Sequence, residues 1–267
     1  MSFSASWLEQ REPFDRRARQ DTVIDGAVAA VAGRPSVTIV DLACGTGSTL
    51  RALGPRIEAR QNWRLIDNDL SLLARAPESS PPKINITATP IDINRDLEAA
   101  LDGPVDLVTT SALLDLVSAE WLERFVVETA VRRLPVYAAL SYNGVIEMIP
   151  ADAADKSIVA AVNAHQRTDK GFGLALGPDA ARQAVEQYQR VGYEVVQGAS
   201  DWLLQPQHRE MQVEVLSGWA AAARDIGKVA LPEVIGWLTR RRDLVAAGRS
   251  SIRVGHVDFF AAPTASR

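Results

Sequence analysis

Three aspartates and a glycine turn give this chain its most specific chemistry. The segment Val40-Asp41-Leu42-Ala43-Cys44-Gly45-Thr46-Gly47-Ser48 closes an apolar run and opens a helical one. Glycines there let the backbone turn where other residues resist, and bring its amides close to a ligand. Asp41 stands four residues before Gly45, inside the strand end. Asp67 ends the next apolar run, RLIDND, twenty residues beyond Gly47. A carboxylate there can accept both hydroxyls of a ribose. Asp69 falls past that run and suits a helix N-cap. Asp92, in Ile91-Asp92-Ile93, ends a third run. A lone GxG turn is weak evidence, but Leu50 fills the place of a third glycine in Gly45-Thr46-Gly47-Ser48-Thr49-Leu50. That third glycine lets a helix approach its strand beneath a pyrophosphate, so its absence disfavours NAD and FAD.

Further polar groups follow the fourth and fifth apolar runs. Asp115, just after VDLVTTSAL, is placed as a general base or as a clamp on a hydroxyl or amine. Its competing role is an N-cap for the next helix, which Ser118 fills better. Tyr142 and Asn143 close the fifth run at the same edge, although Asn143-Gly144 reads equally as a plain turn. His165, in NAHQRTDKGFG, lies on a later helix, where an imidazole can take a proton near neutral pH or serve only the structure. His208 and His256 fall in a loop and in the last strand. Three scattered histidines and the single Cys44 argue against a protein metal site, while a carboxylate-held magnesium ion stays open.

The elements that must position these groups alternate β with α, which predicts a mostly parallel sheet with helices on both faces. A helix from Trp7 to Ala32, broken near Pro13, precedes a strand from Ser36 to Ala43 and a helix from Ser48 to Arg60. Strands follow at Trp63 to Asp69, Ile84 to Ile93, Val105 to Leu113 and Pro135 to Tyr142. Helices open at Leu70, Arg95 and Ala119. Near-continuous apolar strands imply burial on both faces. After the fifth strand come a helix at Asp152 to Thr168, a Gly-rich loop from Lys170 and a helix at Ala181 to Arg190. A sixth strand, Tyr193 to Trp202, a helix pair at Glu210 to Ile226 and Pro232 to Ala247, and a last strand at Ser251 to Pro263 complete a seven-stranded sheet. Residues 150–180 and 203–248 then form helical insertions at the C-terminal strand edge, where ligands bind in open α/β sheets. They are expected to make a substrate lid on a single domain spanning 1–267.

The 267 residues are 47% hydrophobic with a formal net charge of −4, as suits a soluble globular chain able to bury a sizeable core. No apolar run approaches the roughly 18–20 residues a membrane span needs. The polar start MSFSASWLEQREPFD lacks the apolar middle of a secretion signal, and one cysteine allows no internal disulfide, so a cytoplasmic location is expected. Mild acidity argues against nucleic acid. The basic run Arg240-Arg241-Arg242 reads as a solvated helix face.

DLACGTGS resembles the first motif of class I, Rossmann-like S-adenosylmethionine-dependent methyltransferases. The resemblance runs over roughly residues 11–142 with four motifs in order. It implies that S-adenosylmethionine is the cofactor, with Asp41, Ala43, Gly45 and Gly47 around its amino-acid part and Asp67 on the ribose. Asp92 would take the adenine amino group, Ile93 would pack on the ring, and Thr110 or Ser111 would line the methionine end. Some relatives pair the methionine carboxylate with a residue upstream, here Arg19 or else a merely solvated arginine. WLEQREPFDRRAR, SALLDLVS and SDW resemble segments of bacterial small-molecule methyltransferases.

Against that family's patterns, Thr110-Ser111-Ala112-Leu113 is not the DPPY of base amino-methylation. The only cysteine sits in the glycine turn, so cytosine-carbon methylation lacks its nucleophile. The paired glutamates of protein-arginine methylation are absent. The expectation is therefore methyl transfer to an oxygen or nitrogen of a small molecule, with Asp115, His165 and Tyr142 as candidate catalytic groups. A non-catalytic S-adenosylmethionine-binding regulator or partner subunit on the same fold is the alternative. The acceptor and the oligomeric state are not legible.

Overall fold

A computed structural model of the chain describes residues 4–76 and 82–264. Helix α1 (Ala5–Ala18) starts under a Ser4 cap whose hydroxyl accepts the Trp7 N–H, and α2 (Asp21–Val31) follows. The chain does not break at Pro13, which lies inside α1; it breaks at Arg19 and Gln20. The cause is tertiary. The Gln20 N–H donates to Asp258 Oδ2 at 3.0 Å and so leaves the helical ladder.

The sheet is built from β1 (Ser36–Leu42), β2 (Arg60–Asp67), β3 (Ile84–Pro90), β4 (Leu107–Ser111), β5 (Val136–Ile149), β6 (Tyr193–Ala199), β7 (Trp202–Leu204) and β8 (Ser251–Pro263). Its order is β3-β2-β1-β4-β5-β8-β6. Strands β1 to β5 pair in parallel, and β8 runs antiparallel between β5 and β6. This is the expected seven-stranded path with one addition, the short β7 paired to β8. Between the strands lie α3 (Ser48–Leu53), α4 (Leu70–Leu73), α5 (Leu97–Ala100), α6 (Ala119–Val131), α7 (Asp155–Gln166), α8 (Ala180–Arg190), α9 (Arg209–Ile226) and α10 (Leu231–Ala246). Asp69 and Ser118 cap α4 and α6 as their positions predict.

Alternation along the strands divides the core. Ile39 and Leu65 pack with α2 and α3 on one face, while Val40, Leu42 and Ile66 pack with α5, α6 and α8 on the other. Each such buried side chain contributes about 1.5–3 kcal/mol.

Strand β5 departs from expectation. It passes Tyr142 and runs on to Ile149, so Asn143-Gly144 is a bulge inside the strand and not its end. Gly144 takes φ +88°, Asn143 Oδ1 accepts the Val145 N–H at 3.1 Å, and a Cβ on Gly255 of β8 would meet that oxygen at 2.3 Å. An earlier bulge sets Leu140 at φ +56°, and Asp258 Oδ1 accepts its N–H at 2.7 Å. The extended half of β5, the facing half of β8, and β7 carry a third apolar cluster with α7, α9 and α10. Within it Arg241 is fully buried, bonded to Asp155, so the basic run of α10 is not a purely solvated face.

No helix of the described residues is long and apolar enough to cross a membrane.

Candidate functional site

The glycine turn sits at the C-terminal end of β1, beside the ends of β2 and β4. Three of its residues take left-handed backbone: Ala43 at φ +51°, Gly45 at φ +53° and Gly47 at φ +82°. Ala112, just past β4, does the same at φ +52°. Residues without a glycine's freedom hold this conformation only where surrounding structure imposes it, and such positions gather at binding sites. Gly45 has a second constraint, since a Cβ there would come within 3.1 Å of Leu8 Cδ1 on α1. Helix α1 is tied over the turn by a bidentate pair from Arg51 to Glu12, at 2.7 and 2.6 Å.

A cavity of about 230 Å³ opens beneath this turn. Ala43, Gly45, Asp67, Asp92, Ile93 and Ser111 all line it. Asp67 Oδ2 accepts the Gly45 N–H at 2.8 Å and its Oδ1 accepts the Asp69 N–H at 3.0 Å. Each oxygen retains a second lone pair for a ligand. Asp92 accepts the Asn94 N–H at 3.0 Å and stays partly exposed. Ile93 is held in place by its carbonyl, which accepts the Trp121 indole N–H at 2.9 Å.

Asp41 does not line this space. It is fully buried, accepts the Thr109 hydroxyl at 2.7 Å and braces the turn from below. Burial pushes its pKa up to about 7, against the hydrogen bond from Thr109. Gly47 caps α3 and also lies outside the lining. Arg19 is placed elsewhere too: it is buried, donates to the Tyr137 hydroxyl and to Ser111 Oγ at 3.2 Å each, and lines none of the cavities at this edge.

A second cavity, of about 490 Å³, adjoins the first and shares Arg11, Ala112 and Leu116 with it. The structure brings Asp115, Tyr142 and His165 together in its wall. Asp115 is 6% exposed, and burial raises its pKa to about 6 while Arg11 pulls the other way. Its Oδ2 accepts a weak hydrogen bond from Gln166 at 3.4 Å. Tyr142 donates its hydroxyl to Asn163 Oδ1 at 2.7 Å, and burial, with Asp115 nearby, lifts its pKa above the usual phenol range. His165 Nδ1 faces the Lys170 ammonium at 3.3 Å, and burial, then that charge, lowers its pKa. Neutral imidazole is therefore the favoured form at pH 7.

Several lining residues carried no sequence signal. Arg11 lines both cavities, bonds Asp15 at 2.9 and 3.2 Å and lies 4.9 Å over the Trp202 ring. Phe172 comes from the Gly-rich loop, edge-on to Trp121 at 5.5 Å, and Asn94 fastens that loop by donating to the Gly171 carbonyl at 2.8 Å. His256, seen only as a strand residue, reaches the second cavity from β8. Helical periodicity could have placed Arg11 beside Leu8 and Trp7; nothing local marks the other two. Among the described residues no group of three or more His, Cys, Asp or Glu could hold a metal ion.

No protein-family model matches the chain, and no curated protein does. Among solved structures, the chain is similar to a cyclopropane-fatty-acyl-phospholipid synthase-like protein from Lactobacillus casei. That match has 14% identity over 97% of this chain and 94% of the other, with TM-score 0.51. It is similar to YcgJ from Bacillus subtilis at 11% identity over 92% of this chain and 100% of the other, with TM-score 0.50. A SAM-dependent methyltransferase from Thiobacillus denitrificans, solved with S-adenosyl-L-homocysteine, matches at 14% identity over 98% and 100%, with TM-score 0.47. The strand order with its one antiparallel strand inside the edge, β8, gives this chain the class I methyltransferase fold.

Proposed function

We propose that this chain binds S-adenosylmethionine in the smaller cavity and transfers its methyl group to an oxygen or nitrogen of a small molecule held in the larger one. One observation carries the reading. Two cavities at the C-terminal strand edge meet at Arg11, Ala112 and Leu116, one with the features of a nucleoside site and the other largely apolar with a buried carboxylate.

The residues present fit the cofactor. Asp67 has lone pairs for ribose hydroxyls, Asp92 can accept an amino group, and Ile93 and Phe172 offer apolar surface to a base. Ala43, Gly45 and Ser111 line the end expected to take the amino-acid part. Arg11, and not Arg19, lines the space at that end.

S-adenosylmethionine, when bound, would supply an electrophilic methyl group: the acceptor lone pair would bond to the methyl carbon in line as the carbon–sulfur bond breaks, its electron pair passing to sulfur. The chain's own work is alignment and proton removal. Asp115 takes the proton that an acceptor nitrogen or hydroxyl releases. Tyr142, kept protonated, and His165, kept neutral, orient the acceptor rather than carry charge. Helices α7 and α9 wall the larger cavity as its lid, with α10 packed against α9.

Calorimetric titration with S-adenosylmethionine, S-adenosylhomocysteine and NADH tests the reading. Micromolar binding of the first two and none of NADH is expected. A well-folded chain that binds neither sulfur compound contradicts it.

A further inference from the structure

The larger cavity has a charge pattern that selects among acceptors. Its lining includes the buried Asp115 and, on α9, the exposed Glu214 and Asp225, the latter paired with Arg224 at 3.5 Å. Arg11, the one arginine among the described lining residues, already directs its guanidinium to Asp15 and to the Trp202 face. Lys170, on the neighbouring cavity wall, is bonded to His165 Nδ1 at 3.3 Å and to Thr168 Oγ1 at 3.0 Å.

Between these charges the walls are aromatic and aliphatic, with Trp7, Trp202 and Trp219 among them. His256, 5% exposed, also lines this cavity, and its Nδ1 is buried with no hydrogen-bond partner among the described residues. Burial keeps that ring neutral, since it lowers the pKa to about 3. A buried polar atom without a partner is a standing cost that a bound polar group removes.

Resting on the function proposed above, the geometry points to an acceptor that is a hydrophobic amine: a cation attracted by Glu214 and Asp225 whose nitrogen gives its proton to Asp115 to free the attacking lone pair, its ring or alicyclic body against the tryptophans, and a further polar group on His256. Aromatic faces attract cations, and three carboxylates to one arginine among the described lining residues disfavour anions. Anionic acceptors such as carboxylates and phosphates are thereby excluded. The cavity of about 490 Å³ falls within the range of sites for drug-sized molecules.

The test uses three probes of matched size on the full chain with S-adenosylhomocysteine present: 1-naphthylmethylamine, 1-naphthylmethanol and 1-naphthoate. Calorimetry at pH 7 should show the amine binding at least about tenfold more tightly than the carboxylate, with the alcohol between. The doubly neutralised variant Glu214→Gln/Asp225→Asn should reduce that preference about threefold or more. Trp219→Ala should weaken all three probes alike. Equal or tighter binding of the carboxylate, no binding of the amine, or a preference unmoved by neutralisation overturns the inference. S-adenosylhomocysteine binding in the same cell separates the two levels. If it binds and the amine preference fails, only the acceptor class falls.

Discussion

The backbone N–H of Gly45 donates to Asp67 Oδ2 at 2.8 Å, so the glycine turn after β1 is clamped to the end of β2. One carboxylate thus serves the loop and faces the cavity. Asp67→Asn keeps an acceptor for the amide and loses the charge. It should weaken S-adenosylmethionine binding about tenfold, the loss of one charge-assisted bond, and lower the melting temperature less than Asp67→Ala, since its amide nitrogen cannot accept the Asp69 N–H. Asp67→Ala should lose both affinity and stability. Calorimetry and thermal melts on the two variants separate the roles.

Asp115 sets the pH dependence. Its folded pKa, about 6, lies above the ordinary 3.8 because burial disfavours the anion. Only the ionised form is a base, so kcat/KM should rise with pH through a midpoint near 6 and then level. Stability runs the other way. The native protein favours the proton, so this contribution is complete below the unfolded value and is lost as pH rises through the folded one. Asp115→Asn should therefore melt higher than the native chain at pH 7.5, by on the order of 3 kcal/mol, and match it near pH 4. The same substitution should lower turnover by about 10²–10⁴-fold.

Gly218 lies in the α9 wall of the larger cavity, and a Cβ added there meets nothing within 4 Å. Gly218→Ala should stabilise the protein by about 0.5–1 kcal/mol through helix propensity alone. Gly218→Phe should fill the acceptor cavity, blocking acceptor binding while leaving S-adenosylmethionine affinity unchanged. Paired titrations with cofactor and acceptor read both effects.

Arg241 holds α10 to α7. It is fully buried, donates to Asp155 Oδ1 at 3.1 Å and to the Pro150 carbonyl at 2.7 Å, and Asp155 also accepts the Trp237 indole at 2.8 Å. Asp155→Ala strands a buried guanidinium and should cost about 3–5 kcal/mol in denaturant unfolding. Asp155→Leu combined with Arg241→Met should recover much of that loss.

The sequence made the strands and the glycine turn legible because their signals are local: apolar runs, left-handed positions and an acid at each strand end. Asp67, Asp92 and Ile93 line the smaller cavity from the positions that pattern assigned. What stayed hidden depends on contacts between distant segments. The α1–α2 joint is fixed by Asp258, more than two hundred residues away. The continuation of β5 past Asn143-Gly144 needs Gly255 on the facing strand to make room. Arg11 stood in a helix with three further arginines nearby, and only the fold distinguishes it from Arg19 by turning one toward the cavities and the other under Ser111. Asp115, Tyr142 and His165 are far apart in sequence, and only the bulged β5 and helix α7 bring them into one wall.

The central claim is that adjoining cavities hold the cofactor and the acceptor. A crystal structure of the protein with S-adenosylhomocysteine tests it most directly. Adenine should lie between Ile93 and Phe172, ribose on Asp67, and the thioether sulfur at Ala112, facing the cavity that contains Asp115. A ligand seated elsewhere, or one whose sulfur points away from that cavity, would contradict it.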